Sequence, residues 1–224
     1  MSSQSFKDAK RAQVSLLAPL EKRCLIWLAE RMPGWVNSDH LTALGLVAML
    51  MAGLSYWAAR WSRFTLLAVI FWLAVNWFGD SLDGTLARVR NRLRPRYGFY
   101  VDHVVDAFGT LFLVAGMGLS GYMSPWVAMG VLISYFMISI EVYLATYTLG
   151  TFHLSHWKMS PTELRILLAI GNIVLLFRPT VRIAGDSYLL FDVGGVCGIA
   201  GMSLMLLAAV GRHARALYNE ERLP

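Results

Sequence analysis

The chain has 224 residues, of which 57% are hydrophobic and 15% charged, with 20 Lys and Arg against 14 Asp and Glu. A mean hydropathy of +0.53 excludes disorder and an ordinary soluble domain, which leaves a polytopic membrane protein. Two cysteines, Cys24 and Cys197, lack ligand spacing and argue against a disulfide scaffold or thiolate metal site. The net charge of +6 is assigned to topology and anionic membrane lipid, with no nucleic-acid partner expected.

Met1–Gln13 is polar, with no apolar run before a small-residue cleavage site, so no signal peptide is expected. Leu16–Met32 mixes Leu20, Leu25, Trp27 and Leu28 with Lys22, Arg23 and Arg31, the pattern of a helix lying in the membrane interface. Six apolar spans follow, at Leu41–Ala59, Phe64–Leu82, Phe99–Gly121, Trp126–Leu149, Leu164–Phe177 and Leu189–Val210. The fifth is short for a bilayer core of ~30 Å. It extends back to Pro161, whose fixed φ suits a first helical turn. The expected fold is an all-α membrane protein, six transmembrane helices behind an interfacial amphipathic helix. Residues 1–40 form the N-terminal segment, 41–212 the transmembrane catalytic domain and 213–224 a C-terminal tail.

Orientation follows from the cations. Sixteen of the 20 Lys and Arg lie on one side: those ahead of the first span, Arg88, Arg90, Arg92, Arg94 and Arg96 between the second and third, Lys158 and Arg165, and those after the sixth. Arg60, Arg63, Arg178 and Arg182 lie on the other. The split puts both termini in the cytosol. An integral protein of the inner or cytoplasmic membrane is expected.

Carboxylates sit where they are expensive. The second span ends in Asp80-Ser81-Leu82-Asp83-Gly84-Thr85-Leu86-Ala87-Arg88, and the third opens Gly98-Phe99-Tyr100-Val101-Asp102-His103-Val104-Val105-Asp106. One ionised residue within a span costs ~2.5–3.5 kcal/mol on insertion scales. Asp80, Asp83 and Ala87 repeat at i, i+3 and i+7, and Gly98, Asp102 and Asp106 at i+4, so each helix presents one polar, small-residue face. Asp80 and Asp106 each lie ~12 Å from the cytosolic end of their helix, and Asp83 and Asp102 ~6–8 Å. Antiparallel neighbours would bring the four together, where they need protons or a cation between them. All-oxygen ligation selects hard divalent ions.

Asp80-x2-Asp83-Gly84-x2-Ala87-Arg88 followed by Gly98-x3-Asp102-x3-Asp106 resembles the signature of the CDP-alcohol phosphotransferases. Those enzymes move a phosphoalcohol from a CDP-alcohol to an acceptor hydroxyl, releasing CMP and forming a phosphodiester lipid. The resemblance implies a two-metal centre of Mg²⁺ or Mn²⁺ on Asp80, Asp83, Asp102 and Asp106, with Asp106 also the general base. It implies a CDP-alcohol site at Thr42, Asp83, Gly84, Ala87, Arg88 and Gly98, and a homodimer. Two departures stand out. Nine residues separate Arg88 from Gly98 where many members have eight, and Ser38-Asp39-His40-Leu41-Thr42 replaces the family's Pro-Asn-x2-Thr.

On the acceptor side, Asp102-His103 with Pro161-Thr162-Glu163 resembles the choline/ethanolamine phosphotransferase branch, which uses a diglyceride. His103, Glu141, Glu163 and Arg165 are the candidate acceptor contacts, with His153 and His156 as further headgroup contacts. Glu163 and Arg165 stand at i, i+2 and cannot share a helical face, so one of them points into the cavity. The substrates are either CDP-diacylglycerol with a polar alcohol or CDP-choline/ethanolamine with a diglyceride. A cation transporter using the Asp cluster is the rival from another class. Against it, the outer halves of the first three spans carry no acidic residue to continue a path.

Overall fold

A computed structural model describes residues 18–149 and 161–221, with side chains from Glu21 onward. His153, His156, Lys158, Lys7, Lys10 and Arg11 lie outside the described residues. Helix α1 (Ala18–Arg31) precedes the long helices α2 (Ser38–Ala58), α3 (Thr65–Val89), α4 (Pro95–Leu119) and α5 (Pro125–Leu149). Helix α6 (Pro161–Phe177), a hairpin of β1 (Thr180–Ile183) and β2 (Asp186–Leu189), and α7 (Leu190–Glu220) complete the chain. Prolines open α4, α5 and α6, where a missing N–H costs nothing and φ is already helical.

The protein is an all-α membrane protein. Helices α2, α3, α4, α5 and α7 are long and apolar enough to cross a bilayer. The fifth expected span is α6. Its 17 residues begin at Pro161 and reach ~26 Å at ~1.5 Å per residue, short of a ~30 Å core. Phe71, Trp126, Ile133, Leu204 and Leu207 are exposed on the outside of the bundle, as lipid-facing side chains are.

One feature of the loop between the last two spans departs from an all-helical reading. Thr180–Ile183 pairs antiparallel with Asp186–Leu189, Val181 opposite Tyr188. The turn residues Ala184 and Gly185 both take positive φ, 54° and 101°, as a two-residue hairpin turn requires.

Small residues set the helix spacing. A Cβ added at Gly116 of α4 or Gly53 of α2 would stand closer than 3.0 Å to the other helix's backbone. The same holds at Gly79 of α3 against Leu41 and Gly45 of α2. Backbones approach this closely in a membrane because dispersion and hydrogen bonding, rather than apolar burial, drive association. Ala52, Tyr56, Leu66, Val69, Leu113 and Leu175 form the main core beside these contacts.

A second cluster lies at the arginine-rich end, where Leu25 and Ala29 of α1 pack on Leu41, Leu82 and Leu86. Glu21 ties α1 down: its Oε1 accepts from Trp77 Nε1 of α3 at 2.8 Å and from Thr162 Oγ1 of α6 at 2.6 Å. The cations of the α3–α4 loop are not a uniform solvated run. Arg90 donates to the carbonyls of Met32, Pro33 and Val36, and Arg94 pairs with Asp39. Arg90 thus closes the C-terminal side of α1 and Arg94 holds the start of α2.

The longer Arg88–Gly98 spacing ends in a defined turn. Arg92 N–H donates to Ala87 O at 2.8 Å and Asn91 N–H to Arg88 O at 3.1 Å, around Asn91 at φ 52°. That is a Schellman stop, with asparagine supplying the left-handed residue glycine usually provides.

Candidate active site

The α2–α3 contact positions the first carboxylate. Gly79 is pressed against Leu41 and Gly45, so the next residue, Asp80, is held at a fixed height beside α2. Asn76, one turn earlier and buried, donates from Nδ2 to Gly45 O at 3.0 Å across the same contact. Helix α4 brings Asp102 and Asp106 one turn apart. One oxygen from each of Asp80, Asp102 and Asp106 lies within 4.8 Å of the others. Asp80 and Asp102 are half-buried and Asp106 is exposed.

Asp83 takes a different place. Its Oδ2 accepts from Thr42 Oγ1 at 2.6 Å, and it stands one turn nearer the arginine-rich end. Of the four expected ligands, three converge, and the fourth meets the α2 threonine expected at the nucleotide. The α3 and α4 glycines divide by role. Gly84 has only the Arg88 guanidinium within 4 Å of a virtual Cβ and Gly98 has nothing, whereas Gly45, Gly53, Gly79 and Gly116 face backbone. Gly84 and Gly98 are therefore not explained by helix packing. Arg88 lies along its own helix, Nε donating to Gly84 O at 3.1 Å and Nη2 reaching Thr85 Oγ1 at 3.4 Å. Ala87 lines an open cleft of about 370 Å³ with Asn37, Ser38, Asp39, Arg90 and Arg94.

Among the expected acceptor contacts, His103 is next to the cluster. Its Nδ1 lies 2.6 Å from Phe99 O, and a carbonyl can only accept, so Nδ1 carries the proton. In the neutral ring Nε2 is then the basic nitrogen. Tyr143 of α5 meets the imidazole edge-on, ring centroids 5.0 Å apart. Sequence reasoning missed Tyr135 and Ser139, which stand two and one helical turns before Tyr143. Tyr135 and Tyr143 both feel the Asp106 and Asp102 charges, and Tyr135 abuts Thr110 and Ser139. The spacing i, i+4, i+8 of the three hydroxyls Tyr135, Ser139 and Tyr143 along one face of α5 was the available signal.

Two expected acceptor contacts have protein partners. Glu141 Oε1 lies 2.5 Å from His213 Nδ1 of α7. That contact is on a different face of α5 from Tyr143, because two residues rotate a helix by about 200°. Arg165 reaches the cluster itself: Nη2 contacts Asp80 Oδ2 at 2.5 Å and Nε donates to Asn76 Oδ1 at 2.8 Å. Glu163 sits in the first turn of α6. Arg165, on another face, meets Asp80 of the cluster.

A family model for the CDP-alcohol phosphatidyltransferase domain matches residues 35–210. Cholinephosphotransferase 1 of Bos taurus is 29% identical over 178 residues, covering 74% of this chain and 42% of that protein. The Gallus gallus cholinephosphotransferase 1 is 28% identical over 204 residues, 83% of this chain and 59% of that protein. An archaetidylinositol phosphate synthase of Pyrococcus horikoshii is 29% identical over 104 residues, 46% of this chain and 52% of that protein. The chain thus spans about half the length of the curated relatives it matches.

Proposed function

The chain belongs to the CDP-alcohol phosphatidyltransferase family, and from that premise we propose that it transfers a phosphoalcohol from a CDP-alcohol to an acceptor alcohol, a step of phospholipid biosynthesis. The observation that carries this reading is the convergence of Asp80, Asp102 and Asp106 from two helices to within 4.8 Å. Carboxylate oxygens at that separation fit hard divalent ions, Mg²⁺ or Mn²⁺, and Asp83 with Thr42 extends the donor set toward the nucleotide. Bound there, a pair of such ions supplies neutralisation of the charge developing on the diphosphate.

The chain's own groups do the rest. Thr42, Asp83, Gly84, Ala87, Arg88 and Gly98 take the cytidine diphosphate, and the open space at Gly84 and Gly98 supports a close approach of the nucleotide to backbone. Asp106 accepts the proton of the acceptor hydroxyl as its oxygen bonds to the phosphorus carrying the alcohol. The bond from that phosphorus to CMP breaks, and CMP departs with the electron pair. His103 and Glu163 belong to the acceptor side, with Tyr135 and Tyr143 beside the base.

Within the class, CDP-choline or CDP-ethanolamine with a diglyceride is the reading supported by the matches to cholinephosphotransferases over most of the chain. The match to an archaetidylinositol phosphate synthase supports, as second reading, a CDP-linked lipid with a polar alcohol. Release of CMP by the purified protein, offered each donor and acceptor pair in turn, decides between them. No CMP from any CDP-alcohol contradicts the proposed reaction.

Residues 41–212 make up the catalytic unit, flanked by 1–40 and 213–224. The site and both termini face the cytosol from the cytoplasmic membrane, and the protein works as a homodimer; a single-chain mass by light scattering contradicts the last point. In a background lacking Cys24 and Cys197, a cysteine placed at Arg92 is expected to react only with reagent on the cytosolic side. One placed at Ser62 is expected to react only from the opposite face. Reversed labelling overturns the orientation drawn from the cations.

A further inference from the structure

The polar face of α5 continues past the aspartate cluster. Tyr143 meets His103 edge-on, with ring centroids 5.0 Å apart. Ser139 follows one turn further from the arginine-rich end. Tyr135 lies one turn beyond that, where it abuts Thr110 of α4, itself one turn past Asp106. Four half-buried hydroxyls thus run ~12 Å along the α4–α5 boundary, from the cluster into the span. Small residues already seat α4 on α5 at the far end, where a Cβ on Gly118 would stand 2.9 Å from that of Ala128. The Ser139 proton is given to Tyr135 O at 2.9 Å. Phenols at the edge of a span need oxygen acceptors, which acyl tails do not supply. From Tyr97 to Leu149 the sequence contains no Lys or Arg, so neither helix brings an anion a partner. Arg165, which reaches the cluster from α6, is held by Asp80 and Asn76. Ile140, ~60° round α5 from Tyr143, is exposed, as are Val104 and Phe108 of α4, so lipid borders the strip.

We propose that Thr110, Tyr135, Ser139 and Tyr143 are the seat of an uncharged lipid acceptor, a diglyceride held by its ester oxygens with its hydroxyl at Asp106. The inference rests on the proposed reaction and names the residues that select its acceptor. The chemistry of the two partners matches. A diglyceride offers one hydroxyl donor and ester carbonyls that only accept, and a phenol O–H reaches a carbonyl by turning about a single C–O bond. Hydrogen bonds to neutral oxygens are well rewarded where water is excluded. The acyl tails leave past Phe108 and Ile140, which already face lipid. A phosphorylated alcohol is disfavoured in the same place. It would bring its negative charge beside Asp106, with no Lys or Arg on either helix to balance it.

The test uses the purified full chain in mixed micelles and has two arms. In the first, a diglyceride carrying a diazirine on the acyl carbons next to an ester is photolysed on wild type without nucleotide, and the labelled peptides are read by mass spectrometry. Label is expected within Asp102–Thr110 and Tyr135–Tyr143. Plain diglyceride is expected to displace it and glycerol 3-phosphate to leave it in place. Label confined to other helices, or displacement by glycerol 3-phosphate, overturns the proposal. In the second arm, Tyr135→Phe and Tyr143→Phe remove only the hydroxyls. Each is expected to raise the diglyceride KM at least about fivefold and the double variant about tenfold or more, the scale of one or two lost hydrogen bonds. The loss is expected to fall on KM more than on kcat, with CDP-choline affinity within about twofold of wild type. A lowered melting temperature with an unaltered diglyceride KM means that the hydroxyls only join α4 to α5, and overturns the proposal. If the variants do not fold, the wild-type crosslink decides. If no CDP-alcohol releases CMP, the proposed reaction fails by itself, and the nucleotide-free crosslink still decides whether the strip holds a diglyceride.

Discussion

Asp106→Asn is expected to lower the single-turnover rate by ~10²-fold or more, while CDP-alcohol affinity stays within about fivefold of wild type. Asp80→Asn is expected to lose both. The difference follows from position. Asp80 stands between α2 and α4 and is tied to Arg165 and, through Gly79, to the α2 backbone. Neutralising it removes a ligand and strands a buried guanidinium beside Asn76. Asp106 is the most exposed of the three and lies on the side of Tyr135, where an acceptor hydroxyl would arrive. Calorimetric binding and single-turnover rates on both variants separate the roles. Equal loss of nucleotide binding in the two would make Asp106 chiefly a ligand. A larger rate loss in His103→Gln than in Asp106→Asn would instead move proton acceptance to the imidazole, whose Nε2 is the basic nitrogen in its present hydrogen bond.

Gly116→Val is expected to cost about 3 kcal/mol or more and to lower the melting temperature by at least ~6 °C. Any Cβ at Gly116 enters the backbone of Gly53, and backbone cannot yield as a flexible side chain can. Helices α2 and α4 must then separate, and the distance between Thr42 and the α4 carboxylates goes with them. Gly98→Ala makes the opposite prediction. A Cβ there meets nothing within 4 Å, so stability is kept while CDP-alcohol binding weakens. Thermal unfolding and nucleotide binding, measured on both variants, check the pair. A wild-type melting temperature in Gly116→Val would mean that α2 and α4 do not touch where they are placed.

The helices and the polar stripes were legible because membrane insertion makes composition decisive. Long apolar runs bounded by Pro95, Pro125 and Pro161 leave few alternatives to a helix. Likewise Asp80 with Asp83, and Asp102 with Asp106, have to share faces at three- and four-residue spacing. The partners chosen across helices were not legible. Nothing in the spacing of Asp83 pairs it with Thr42; the α2–α3 register does that. The i, i+2 spacing of Glu163 and Arg165 said that one of them points inward but not to which partner, and Asp80, which Arg165 meets, lies 85 positions earlier in the chain. Asn76 is a single polar residue in the apolar run before Asp80, and only the structure shows that it joins Gly45 to Arg165. The Ala184-Gly185 turn was hidden for another reason, since alanine seldom adopts positive φ. Arg90 read as one more loop cation, whereas its role depends on where α1 ends.

The most direct test of the central claim is the lipid product of the purified, membrane-reconstituted protein, followed by mass spectrometry alongside CMP release. With CDP-choline or CDP-ethanolamine, a diglyceride and Mg²⁺, the phosphodiester lipid and CMP should appear in equal amounts. Excess EDTA should abolish both, and Mg²⁺ or Mn²⁺ should restore both. Full turnover in excess EDTA, or CMP without a new lipid, would contradict a metal-dependent phosphoalcohol transfer at Asp80, Asp102 and Asp106.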